Sequence, residues 1–141
     1  MQPYSATDAT SRPDQAADLR TDEALGRTFA EALGRKDFDA LLGLLDPEID
    51  FCGLTPGRAW EALGPRAVVE DVLRQWFEDT DKLEEIISVE SDSFADRQRV
   101  AYRFRGRNQD GPFIVEQQAY YTERDRRIDW MRVLCSGFRP R

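Results

Sequence analysis

The chain is 141 residues long, 40% hydrophobic and 33% charged, carries a net charge of −7 and has no histidine. That is enough chain for one domain with a single core, and the composition is ordinary for a globular protein. Without an imidazole this chain supplies no Ser–His–Asp triad and no zinc site with His ligands, so proton transfer falls to Asp, Glu, Tyr, Cys, Lys or water.

No apolar run approaches the ~20 residues of a membrane span. The N-terminus is polar and acidic rather than basic and then apolar. A cytoplasmic protein without membrane contact is expected. Charge is unevenly spread: residues 1–96 hold 22 acidic and 9 basic side chains, residues 97–141 hold 11 arginines and 5 acids. This reads as acidic helices and loops balancing an arginine-striped outer sheet face, and the overall sign disfavours nucleic acid. Cys52 and Cys135 are too few for a disulfide framework.

Residues 1–20 are polar, with two prolines and few large apolar groups, and read as a flexible leader; the domain is expected over 21–141. Thr21 is placed to cap a helix, with Asp22 and Glu23 in its first turn and Leu25, Phe29, Ala32 and Leu33 as one apolar stripe. Gly34 ends it, and Asp37 caps a second, short helix that Asp46-Pro47 stops. Glu48 to Leu54 alternates as a short strand, with Ile49, Phe51 and Gly53 on one side. Arg58 to Leu63 reads as irregular. Gly64-Pro65 opens a long helix whose buried stripe is Val68, Val69, Val72, Leu73, Trp76 and Phe77.

A strand over Leu83 to Phe94 follows, and then the most regular part of the sequence. Val100, Tyr102 and Phe104 alternate with polar residues, Asp110-Gly111 signals a hairpin, and further strands run over Phe113 to Thr122 and Ile128 to Phe138. With Asp110-Gly111 as the turn, Tyr102 faces Ala119 and Arg105 faces Glu116. Val100, Tyr102, Phe104, Val115, Gln117, Ala119 and Tyr121 then share one face. Apolar groups on both sides of the last strand suggest that the outer sheet face meets a second copy of the chain.

The order helix, helix, strand, loop, long helix, four strands resembles the nuclear transport factor 2-like superfamily, of the SnoaL-like and ketosteroid isomerase-like kind. The resemblance covers roughly 21–138. It rests on Phe38 to Asp46, Ile49-Asp50-Phe51, Gly64-Pro65 before Val68 to Leu73, and Ile128-Asp129-Trp130-Met131-Arg132. It implies an α+β cone: a curved, mostly antiparallel sheet wrapped around three N-terminal helices. The general base of ketosteroid isomerases falls on Phe51 by spacing from Asp46, and the pocket positions of limonene epoxide hydrolases fall on Met131 and Val133. Their familiar acids are therefore absent, and the comparison turns the Met131, Val133, Cys135 face inward.

The candidates for chemistry are Tyr102, Tyr121 and Gln117: a tyrosine polarises a carbonyl, and a buried amide needs partners. Each is equally a core residue with its polar tip satisfied. Phe29, Phe51, Arg58, Trp60, Met131, Val133 and Cys135 are candidate ligand contacts, with Trp60 as a lid or a packing staple. Asp50, Glu116 and Asp129 are the acids nearest the sheet. No Walker motif, GxGxxG run or CxxC pair is present, so no cofactor or metal is expected. Two functions remain: a cofactor-free isomerase, cyclase or dehydratase acting on a small hydrophobic molecule, or a non-catalytic module that binds a ligand or dimerises.

Overall fold

The computed structural model describes residues 13–141, with side chains described from Ala24 onward. The first twelve positions of the expected leader lie outside the described residues. Its remainder belongs to the first helix, α1 (Pro13–Gly34), which begins at a proline rather than at the Thr21 cap. Proline fits a first helical position because its missing N–H has no partner there anyway. A second helix, α2 (Phe38–Leu44), is capped by the Asp37 carboxylate, which accepts the Ala40 N–H at 3.1 Å.

Strand β1 (Leu45–Thr55) then turns at Pro56-Gly57 into β2 (Arg58–Leu63). The stretch read as irregular is therefore an edge strand, paired from Thr55↔Arg58 through Asp50↔Leu63. Its periodicity is hard to see because an edge strand carries little burial to pattern it: Arg58, Ala59, Glu61 and Leu63 are all exposed.

The third helix, α3, is continuous through Pro65–Ala67, a π-helical Val68–Leu73 and Arg74–Trp76. Its buried residues Val68, Val69, Val72, Leu73 and Trp76, with Phe77 just beyond, repeat every four residues. In an ordinary helix that spacing drifts by about 40° per repeat. The wider π turn, with the Arg74 N–H reaching back to the Val69 carbonyl, keeps the stripe on one face. The helix ends at Trp76, and the charged run after it is a loop.

Four long strands follow: β3 (Lys82–Phe94), β4 (Arg97–Asn108), β5 (Gly111–Arg124) and β6 (Arg127–Cys135). A two-residue strand, β7 (Arg139–Pro140), closes the chain. The sheet runs β2-β1-β6-β5-β4-β3, with β7 adding to β5 beyond the end of β6. Only the β1–β6 pair is parallel; the other pairs are antiparallel. The sheet is curved and open, with the helices over its concave face, and the fold is the expected α+β cone.

The hairpin register differs from the sequence reading by two residues. Tyr102 pairs with Gln117, Arg103 with Glu116 and Val100 with Ala119, and the turn centres on Gln109-Asp110. The Asn108 side chain accepts the Asp110 N–H at 2.9 Å, and Gly111 takes φ +110°, which leaves the two-residue turn to Gln109-Asp110. A slip of two preserves the alternation, so every face assignment stands. In β3, bulges near Leu83 and Ile86 reset the alternation, so Ile86 and Val89 face inward and Ile87 is exposed. The last expected strand stops at Cys135, and residues 136–138 leave the sheet plane before β7.

Lys36, at φ +57°, ties the layers at one end. Its ammonium donates to the carbonyls of Glu78 (2.5 Å) and Asp81 (2.8 Å), while the Asp81 carboxylate accepts from Asn108 at 3.0 Å. Burial lowers the Lys36 pKa, and the nearby Asp81 and Asp79 charges oppose that shift.

Candidate functional site

The concave face is lined by alternate residues of β1, β6, β5 and β4, and its polar centre is one row across the strands. Tyr102, Gln117 and Cys135 are register partners there. The Tyr102 hydroxyl donates to Gln117 Oε1 at 2.7 Å, and each residue is only 1% exposed. Burial pushes the Tyr102 pKa well above its ordinary value, with Cys135 adding a lesser push, so the phenol stays protonated. Two donors on the concave side are buried without a partner among the described residues: the Gln117 Nε2 amide in this row and the Trp76 Nε1 indole over β1.

Apolar walls surround this row. Phe29 of α1 meets the Tyr102 ring at 6.4 Å, and Tyr102 stacks on Phe104 at 5.1 Å. Trp76 of α3 lies 5.8 Å from Phe51 and sits directly over Gly53, where a Cβ would come within 2.6 Å of the indole. Phe29, Phe51, Met131, Val133 and Cys135 are all buried on this side, so the inward face of β6 is the one the family comparison implied.

Tyr121 is buried too, but it is not brought to Tyr102. It sits four residues along β5 from Gln117, and its hydroxyl lies against Gly26 of α1, where a Cβ would stand 2.5 Å away. Trp60 is half-buried at the rim. It packs edge-on against Trp76 at 6.1 Å and donates to Thr55 Oγ1 at 2.8 Å. The exposed Arg58 guanidinium lies 3.5 Å over the Trp60 ring. Rim packing, not the interior, is where these two stand.

The acids take other roles. Asp50 pairs with Arg132 at 3.1 Å and Glu116 with Arg103 at 2.9 Å on the convex face, while Asp129 accepts from Thr122 at 2.6 Å. Cys52 and Cys135 are free thiols on opposite faces of the sheet. Among the described residues no three carboxylate or cysteine side chains gather into a metal-binding cluster.

An open cleft of about 430 Å³ lies outside the cone, lined by Asp46, Pro47, Glu48, Arg124, Asp125 and Arg127. Its buried Asp46 accepts from Arg124 at 2.8 and 3.3 Å and from the Glu48 N–H at 2.8 Å. The Arg124 hydrogen bond, reinforced by that N–H, holds the Asp46 carboxyl below its usual range. These charges are spent on one another and tie the α2–β1 junction to the β5–β6 turn.

Sequence reasoning missed two features of the site. Trp76 was assigned to the core by its helical spacing, which says nothing of its N–H. The strap after β6 was merged into the strand, although Ser136-Gly137 breaks the alternation and signals it. Phe138 on that strap stacks on Phe113 at 4.2 Å with the rings 9° apart, and meets Phe77 at 5.9 Å. Phe77 in turn meets Phe104 at 6.1 Å. Ring contacts thus run unbroken from the half-buried Phe138 to the Tyr102–Gln117 pair.

No family model matches the sequence, and no curated protein is similar to it. Solved structures do match. A Bacillus subtilis protein provisionally named an isomerase superposes with a TM-score of 0.70 at 16% identity, covering 84% of this chain and 88% of that one. An LEH-like epoxide hydrolase of M. tuberculosis gives 0.61 at 16% identity, covering 84% of each chain. A Xanthomonas campestris protein provisionally named a polyketide cyclase gives 0.61 at 20% identity, covering 83% and 91%. At such identities the likeness is one of fold, and the chain has the nuclear transport factor 2-like fold.

Proposed function

We propose that this protein is a non-catalytic binding module that holds a small, mostly apolar molecule inside the cone, with a hydrogen-bond acceptor of the guest on Gln117. One observation carries the reading: a buried amide donor, Gln117 Nε2, lacks a partner among the described residues at the centre of an apolar interior. An unmet buried donor costs about 1–3 kcal/mol, so a guest carbonyl or ether oxygen that meets it gains that much. The amide is also held ready, because the Tyr102 hydroxyl fixes its other end at 2.7 Å.

The same geometry argues against acid–base catalysis. Among the described residues the buried charged side chains are Asp46 and Asp81, and both are committed to structural partners away from Tyr102. Tyr102 has a raised pKa and its O–H is engaged as hydrogen-bond donor to Gln117 Oε1, so it serves neither as base nor as free acid.

The convex face supports self-association into a homodimer. Leu54 and Leu134 are register neighbours there, 53% and 57% exposed. Leu134→Glu is expected to convert a dimer to a monomer in light scattering.

The binding reading is tested by thermal shift with a panel of small ketones and lactones, on the wild type and Gln117→Leu. The expected result is a ligand-dependent rise in melting temperature that the variant loses. A flat response across the panel, or an equal rise in both proteins, overturns the reading.

A further inference from the structure

We infer that the C-terminal strap is a self-inhibiting plug: the Phe138 ring occupies the seat of a planar aromatic guest, and the strap must lift for such a guest to enter. The inference rests on the binding role of the cone interior proposed above.

Phe138 lies nearly parallel to Phe113, at 4.2 Å and 9°, and against Phe77 at 5.9 Å and 34°. Stacked and tilted rings at such distances form a slot shaped for flat aromatic groups. Inward of that slot the ring contacts continue through Phe77 and Phe104 to Tyr102, so the slot stands at the outer end of the packed aromatic row that reaches the Tyr102–Gln117 pair.

The strap is held loosely. It has short, separate fastenings instead of a continuous ladder. Ser136 exchanges two hydrogen bonds with the Glu116 backbone, its N–H donating to the Glu116 carbonyl at 2.9 Å and its hydroxyl accepting the Glu116 N–H at 3.0 Å. The Gly137 N–H donates to Cys135 Sγ at 3.3 Å, and the two residues of β7, both exposed, pair with Phe113 and Ile114. Phe138 is itself only partly buried. Segments with few buried contacts and exposed backbone bonds open at low free energy.

The strap pivots at Gly137. Gly137 takes φ +77°, and a Cβ there would come within 2.7 Å of Pro56 in the β1–β2 turn. Only glycine lets the strap pass Pro56 and fold Phe138 down. Gly137→Ala therefore lifts the plug without removing it, and Phe138→Ala removes it without disturbing the pivot.

The test measures binding of 2-acetylnaphthalene, a planar aromatic ketone, by calorimetry. The proteins are wild type, Phe138→Ala, Gly137→Ala, and Phe94→Ala as an exposed phenylalanine remote from the strap. Circular dichroism confirms that each variant is folded. The expected result is at least tenfold tighter, one-to-one binding for both strap variants, with Phe94→Ala equal to wild type. Binding no tighter in either folded strap variant overturns the plug. If Phe138→Ala fails to fold, Gly137→Ala alone decides.

Adding Gln117→Leu to the strap variant separates the two claims. Tighter binding that ignores Gln117 leaves the plug standing and removes the binding role given to that residue. Gln117-dependent binding that the strap variants leave unchanged does the reverse.

Discussion

Along β4, Val100, Tyr102 and Phe104 are sealed beneath the helices, while Arg99, Arg103 and Arg105 on the same strand stand on the convex face, each against an acid: Asp92, Glu116 and Glu85. The same twelve residues thus serve two surfaces with different energetics. On the concave side each ring is surrounded, and removing atoms leaves a void. On the convex side the three arginine side chains are 20%, 57% and 36% exposed, and for the most exposed a partner adds little. The difference teaches where this chain keeps its stability and where its specificity: packing holds the cone together, and a single amide–phenol pair is what the packed interior offers a guest.

The largest effect expected from breaking this contrast is Phe104→Ala, which removes a ring touching both Tyr102 and Phe77. A loss of about 3–5 kcal/mol is predicted in urea unfolding. A loss below 1 kcal/mol would mean that the interior is not close-packed.

Next comes the polar pair. Tyr102→Phe takes the donor from Gln117 Oε1 and leaves a second polar atom of that amide unmet, and about 1–3 kcal/mol should be lost. The double variant Tyr102→Phe, Gln117→Leu should recover most of it, because two apolar replacements leave no unmet donor. A double variant as unstable as the sum of the singles would contradict the pair.

The Asp46–Arg124 tether is weaker and has a pH signature. Its folded pKa is depressed below the ordinary aspartate value of 3.8, first by the Arg124 hydrogen bond and then by the Glu48 N–H. A depressed carboxyl contributes stability that is fully present above its unfolded pKa and is lost as pH falls through its folded pKa. Asp46→Asn should therefore melt below wild type at pH 7, with the gap closing as pH drops beneath 3.8. A gap independent of pH would rule out the charge as its source.

The smallest effect is on the convex face. Arg103→Ala breaks a pair whose side chains are 57% and 51% exposed, and less than about 1 kcal/mol should be lost.

How much of this was legible in the sequence follows from the same contrast. Where one face is buried and the other wet, period-two alternation is strong, and it assigned Val100 to Tyr121 to the correct sides even though the turn was placed one residue late. The turn failed because Asn108, not Asp110, makes the side-chain bond to the backbone, and short-range signals rank both alike. The edge strand β2 failed because its residues are mostly exposed and carry no alternation to read. In the site, Gln117 and Tyr102 stood out as polar residues at apolar positions. Their pairing depended on the register, and their separation from Tyr121 depended on the packing of α1 at Gly26. Trp76 was hidden because helical spacing marks an indole as apolar and is silent on its N–H.

Whether the interior binds a guest through donors left unmet among the described residues is tested most directly by nuclear magnetic resonance of two groups, the Gln117 side-chain amide and the Trp76 indole N–H. Both are followed while 2-acetylnaphthalene is titrated into the Phe138→Ala protein, with the convex-face Trp130 indole as internal reference. The account predicts that the Gln117 amide shifts and saturates at one equivalent, with the Trp76 indole perturbed alongside it and Trp130 still. A titration in which Gln117 stays fixed, or moves no more than Trp130, would contradict it.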